Sequence, residues 1–117
     1  MFALTVIISV VAAVAFAVSG YSKVNGAEPE RAQADRLGVE WPAYRLIGVA
    51  ELLGAAGLLV GLWLSWLGAV AAFCLVALMI GALYTHMTAG DRAAEMRPAM
   101  LYGLLALFAL LFRLATL

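Results

Sequence analysis

The 117-residue sequence has little of what a water-soluble protein needs. Charged residues make up 12%, against about 25% in ordinary soluble domains. They divide into seven basic and seven acidic side chains, so no net charge steers nucleic acid or an acidic partner. A single cysteine, Cys74, excludes an internal disulfide and any multi-cysteine zinc or iron–sulfur site within one chain. The one histidine, His86, has no thiolate or second imidazole to join it, so neither zinc nor haem is expected. Period-two alternation is absent, which argues against a membrane β-barrel. No Lys or Arg precedes the first apolar run, so that run is expected to stay as a membrane helix rather than act as a signal peptide.

What the sequence does have is apolar length. Hydrophobic residues reach 67%, and the mean hydropathy is +1.06. A fold this small exposes too much surface for so few polar residues, so the expected solvent is lipid. Four runs stand out: Phe2–Val18, Pro42–Leu64, Leu67–Thr85 and Pro98–Leu117. Each approaches the ~20 residues that cross about 30 Å of hydrocarbon. In lipid the backbone must satisfy its own hydrogen bonds, so the runs are expected to be helices. The expected fold is all-α, a four-helix transmembrane bundle forming one integral membrane domain over 1–117. Its helices are expected at about 2–22, 42–64, 67–87 and 98–117. Short connections make neighbours antiparallel.

The one long connection, Gly20–Trp41, carries Lys23, Glu28, Glu30, Arg31, Asp35, Arg36 and Glu40. Pro29 suits a first helical turn and Gly38 a C′ position. A short surface helix is therefore expected within about 28–38, with a solvated loop as the alternative. Pro98 is expected in the first turn of the last span. Antiparallel spans put Lys23, Arg31, Arg36, Arg92 and Arg97 at one end and only Arg113 at the other. The positive-inside bias then places both termini on the non-cytoplasmic face of a plasma membrane of bacterial type. Trp63 and Trp66 mark one aromatic belt. Tyr21, Trp41, Tyr44, Tyr84 and Tyr102 suggest a second.

Ionisable residues in the spans carry the functional signal. Glu51 lies about nine residues into the second span, roughly 14 Å down at ~1.5 Å per residue. A charge there costs about 2.5–3.5 kcal/mol unless it faces the bundle or a wet cavity. It is expected to face inward and meet a cationic or hydroxyl partner from another helix, with Lys23 favoured for its reach. Arg45 lies six residues earlier and about 120° round the helix. It either reaches Glu51 through a neighbour or snorkels to the interface. His86 is either an interfacial histidine or part of a polar vestibule. That vestibule would hold Lys23, Arg45 and His86 near its mouth and Glu51 deepest, with Ser19, Thr85, Tyr84 and Tyr102 adding hydroxyls. The candidate ligand-binding set is thus Glu51, Lys23, Arg45, His86, Tyr84 and Tyr102, with no metal and no assigned catalytic residue. A small-residue stripe, Ala50, Gly54, Gly57 and Gly61, is expected to pack within the bundle rather than form a dimer seam.

Three segments carry a family resemblance: Ser19-Gly20-Tyr21-Ser22-Lys23, Arg45-Leu46-Ile47-Gly48-Val49-Ala50-Glu51-Leu52-Leu53-Gly54 with Ala55-Ala56-Gly57-Leu58 after it, and Gly81-Ala82-Leu83-Tyr84-Thr85-His86. The approach Gly38-Val39-Glu40-Trp41-Pro42 fits as well. In order and spacing the sequence resembles the DoxX-like family of small four-helix membrane proteins. The resemblance implies polar residues clustered between helices and a loose link to quinone or redox chemistry. Three functions are weighed on this basis. The first is an accessory or redox-linked membrane subunit with an intramembrane pocket for a quinone-like or other amphiphilic molecule. The second is a non-catalytic structural subunit of a larger membrane complex. The third is a proton-coupled small transporter, disfavoured because small multidrug transporters carry their glutamate in the first helix, where this chain has no acid. The expected partners are the lipid bilayer and either other membrane subunits or a second copy, and not nucleic acid.

Overall fold

A computed structural model describes residues 2–117, and among these it contains five helices and no strand. They are α1 (Phe2–Asn25), α2 (Glu28–Leu37), α3 (Trp41–Val60), α4 (Ser65–Thr88) and α5 (Ala93–Ala115). All but α2 are long and apolar enough to cross a membrane. Around the bundle the order is α1, α3, α4, α5, and each long helix runs antiparallel to both neighbours. Opposed contacts fix this. Gly20 of α1 lies against Gly48 and Leu52 of α3, and Gly54 of α3 against Leu75 of α4. Gly103 of α5 faces Met79 of α4, while Thr5 near the start of α1 donates to the Phe112 carbonyl of α5 at 3.2 Å.

The core is built from small side chains. Ala12, Ala13, Ala55, Ala72, Ala106 and Ala109 surround Phe16, Leu58, Leu75 and Met79. The large apolar side chains point outward instead, among them Leu46, Leu53, Phe73, Ile80 and Leu104. Water would oppose that distribution, whereas lipid accepts it, because association in lipid depends on close backbone approach. The bundle therefore belongs in a bilayer.

The element boundaries differ from the sequence expectation for local reasons. The surface segment is helical over Glu28–Leu37, with Pro29 in its first turn and Gly38 following at φ 73°. The Val39 N–H bonds the Ala34 carbonyl at 2.9 Å and the Gly38 N–H bonds that of Asp35 at 3.2 Å. This is a Schellman motif, and its left-handed residue disfavours a Cβ. The same pair of bonds recurs at Gly26 and Gly90, so α1, α2 and α4 all end this way at one end of the bundle. That is why α1 runs to Asn25 and α4 to Thr88, beyond the expected 22 and 87. Helix α3 stops at Val60 rather than 64, because the Leu62 and Trp63 amides turn back to the Leu59 and Val60 carbonyls in tight three-residue steps. Pro98 lies inside α5 and not in its first turn. The helix starts earlier, at Ala93, where the Glu95 carboxylate accepts the Arg92 N–H at 2.9 Å. Pro98 then deprives only the Ala94 carbonyl of its helical partner.

The small-residue stripe packs within the chain. Gly54, Gly57 and Gly61 face Leu75, Ala71 and Gly68 of α4, while Ala50 is exposed. At that end of the bundle Arg113 is buried and donates to the Gly61 carbonyl at 3.0 Å, serving the C-terminal carbonyls of α3.

Candidate functional site

Glu51 is fully buried, on the face of α3 that meets α1. Two glycines bring the helices together here: a Cβ on Gly48 would sit 2.6 Å from the Lys23 Cβ and 2.9 Å from the Gly20 carbonyl oxygen. One turn apart on α1, Ser19 and Lys23 therefore both reach Glu51. Lys23 Nζ lies 2.9 Å from Glu51 Oε1 and donates to Ser19 Oγ at 2.7 Å. Ser19 Oγ in turn donates to Glu51 Oε1 at 3.2 Å. Glu51 Oε2 is buried with no donor in reach among the described residues.

The network continues toward α2. Lys23 Nζ is 3.5 Å from Glu30 Oε2, and the Tyr44 hydroxyl donates to that same oxygen at 3.2 Å. Tyr44 stacks on Trp41, whose other neighbour is the Arg31 guanidinium, 4.5 Å from the ring centre. Lys23 thus sits between two carboxylates, one deep and one at the surface helix.

A cavity of about 300 Å³ opens beside this network. Its apolar wall comes from Val18, Ile47, Met79, Ala82 and Ala99. Ser19, Lys23, Glu51, Tyr102, His86 and Thr85 supply its polar side, and Glu30, Gln33 and Leu37 of α2 with Glu95 of α5 also line it. The volume is at the low end of the ~300–1,000 Å³ usual for small-molecule pockets.

His86 is buried at the end of α4. The Schellman turn at Gly90 folds Asp91 back onto it, so that His86 Nδ1 lies 2.5 Å from Asp91 Oδ2. Arg36 of α2 closes the other side of Asp91 with an ion pair. Asp91 therefore ties α2 to the end of α4. The hydrogen bond from His86, and then the Arg36 guanidinium, hold its carboxyl below the ordinary carboxylate range. A lowered value adds stability above the unfolded value of about 3.9, and that stability is lost as pH falls through the folded value. Labels placed by Ala32→Cys and Thr88→Cys in a Cys74→Ser background should keep one distance from pH 7 to about 4. Below that the distance should lengthen and broaden. Asp91→Asn should show the broadening already at pH 7, and an unchanged distance in that variant would refute the tie.

Of the six candidate residues, Glu51, Lys23, His86 and Tyr102 line the cavity. Arg45 and Tyr84 do not: both are exposed, on faces of α3 and α4 turned away from it. Snorkelling is thus the arrangement that fits Arg45. The second aromatic belt is split, since Tyr44 is buried and Tyr102 lines the cavity, while Tyr21 and Tyr84 remain outside. Sequence reasoning missed Glu30 as a second carboxylate for Lys23 and Asp91 as the partner of His86. The Gly90-Asp91 step after His86 carried the second signal, because a C-terminal glycine turns the next residue back on its helix.

No curated protein and no solved structure matches the chain. The DoxX-like family model matches residues 7–110. With nearly the whole bundle inside that match, this four-helix membrane protein belongs to the DoxX-like family.

Proposed function

We propose that the protein is a small membrane subunit, accessory or redox-linked, that holds one amphiphilic molecule in the cavity between α1, α3, α4 and α5. The molecule is quinone-like in having a compact polar head on an apolar body. Its body lies against Val18, Ile47, Met79 and Ala82, and its head meets Glu51, Lys23, His86 and Tyr102. The observation that carries this reading is the pairing of a cavity of about 300 Å³ with a buried carboxylate oxygen, Glu51 Oε2, that no group among the described residues serves. A scaffold reading accounts for the Lys23–Glu51 ion pair, but not for the space beside it. The loop end of the bundle, with Lys23, Arg31, Arg36, Arg92 and Arg97, faces the cytoplasm of a bacterial plasma membrane, and both termini lie outside.

Native mass spectrometry of the protein released from its own membrane tests the proposal. Wild type should retain one small amphiphile per chain. Ala82→Phe, which fills the cavity from α4, should lose it without unfolding. An adduct that survives Ala82→Phe, or no adduct on wild type, would sink the reading.

A further inference from the structure

Hydrogen-bonding capacity in the cavity is lopsided. Among the described residues Lys23 is its only permanent cation, and its three N–H groups face Ser19 Oγ, Glu51 Oε1 and Glu30 Oε2. What remains open on the charged groups accepts, while the neutral Ser22, Gln33 and Tyr102 side chains of the lining can also donate. Glu51 Oε2 has no donor, and an ionised carboxylate can only accept. At His86 the Asp91 carboxylate accepts from Nδ1, which leaves Nε2 as the ring nitrogen free to meet a head group. Charge points the same way, because Lys23 stands against Glu30, Glu51 and Glu95.

Resting on the pocket reading above, we propose that the cavity prefers amphiphiles whose head donates hydrogen bonds, a primary ammonium above all, over heads that only accept. An ammonium offers three donors and one positive charge. One donor serves the unpartnered Glu51 Oε2, and the charge offsets the excess of carboxylates. A hydroxyl head supplies the donor without the charge and ranks second. An ester or ketone head meets Glu51 Oε2 with lone pairs on both sides and leaves the buried oxygen unserved, so of a quinone-like pair the reduced form, with its hydroxyl donors, is the one preferred.

Three probes with the same apolar body separate these heads: decylammonium, decanol and methyl decanoate. Binding is measured by calorimetry on the full chain in neutral phosphatidylcholine nanodiscs, with Ala82→Phe nanodiscs as the reference for partition into lipid. Decylammonium should bind on the order of tenfold or more tighter than methyl decanoate, as one charge-assisted hydrogen bond implies. Decanol should fall between them. Glu51→Gln should shrink the ammonium preference to within about twofold, because an amide supplies its own donor and no charge. Should that variant fail to fold, the ranking on wild type decides alone. Equal binding of the three heads, as when a trapped water serves Oε2, overturns the inference and leaves the pocket reading in place. So does a preference for the ester, or a preference that persists in Glu51→Gln. Binding of none of the probes above the Ala82→Phe reference overturns both.

Discussion

Lys23→Met is expected to destabilise the bundle by about 3–5 kcal/mol, the usual result of removing one member of a buried ion pair. Among the described residues Glu51 pairs with no other cation. Without the ammonium its carboxylate keeps a single donor, Ser19 at 3.2 Å, in a site with no solvent exposure. The reciprocal change, Glu51→Gln, should cost less, about 1.5–3 kcal/mol, the worth of one charge-assisted hydrogen bond. Lys23 keeps Ser19 Oγ at 2.7 Å and Glu30 at 3.5 Å, and its side chain retains 14% exposure. The asymmetry is the informative quantity. Denaturant-induced unfolding of both variants in one detergent measures it, and equal losses would contradict the geometry described for Glu30. Glu51→Gln should also weaken retention of the bound amphiphile while the fold survives. If it keeps the amphiphile and full cellular function, Glu51 is a structural residue only.

Gly48→Leu should be comparably damaging, for a reason of space rather than charge. Its Cβ would meet the Lys23 Cβ at 2.6 Å, the Gly20 carbonyl oxygen at 2.9 Å and Val24 at 3.3 Å. A carbonyl oxygen cannot rotate aside as a side-chain tip can, so α1 and α3 must separate. Overpacking of this kind costs about 1–3 kcal/mol and occasionally more. Here the separation also draws Lys23 and Ser19 away from Glu51, which places the expected loss at the upper end. Gly81→Leu is the matched control, since nothing lies within 4 Å of its Cβ position. It should stay within about 0.5 kcal/mol of wild type. Similar unfolding curves for the two variants would mean that the Gly20–Gly48 approach does not hold the helices together.

Much of the architecture was legible because lipid imposes simple rules. Four long apolar runs must become helices, and short connections must make them antiparallel. Glu51 was conspicuous because a carboxylate in mid-span has few tolerable environments, and the long reach of Lys23 made it the natural partner. Arg45 and Tyr84 were grouped with them on depth alone. Depth along a helix says nothing about azimuth, and both side chains point away from the cavity. Pro98 misplaced the start of α5, because proline is tolerated a turn further in when only one carbonyl near the helix start loses its partner.

Composition and hydropathy by themselves determined the solvent, the helical class, the number of spans and the one buried acid. Those properties follow from the free energy of transferring each segment into hydrocarbon, which depends on local sequence. The tertiary structure decided which faces meet. The Gly20–Gly48 approach that delivers Lys23 and Ser19 to Glu51, the placing of Glu30 on the far side of that lysine, and the Arg36–Asp91–His86 tie all join residues distant in the chain. Such pairings depend on helix rotation and close packing, which are set by van der Waals fit among all four spans at once. No single segment encodes that fit, and so the cavity beside Glu51 exists only in the assembled bundle.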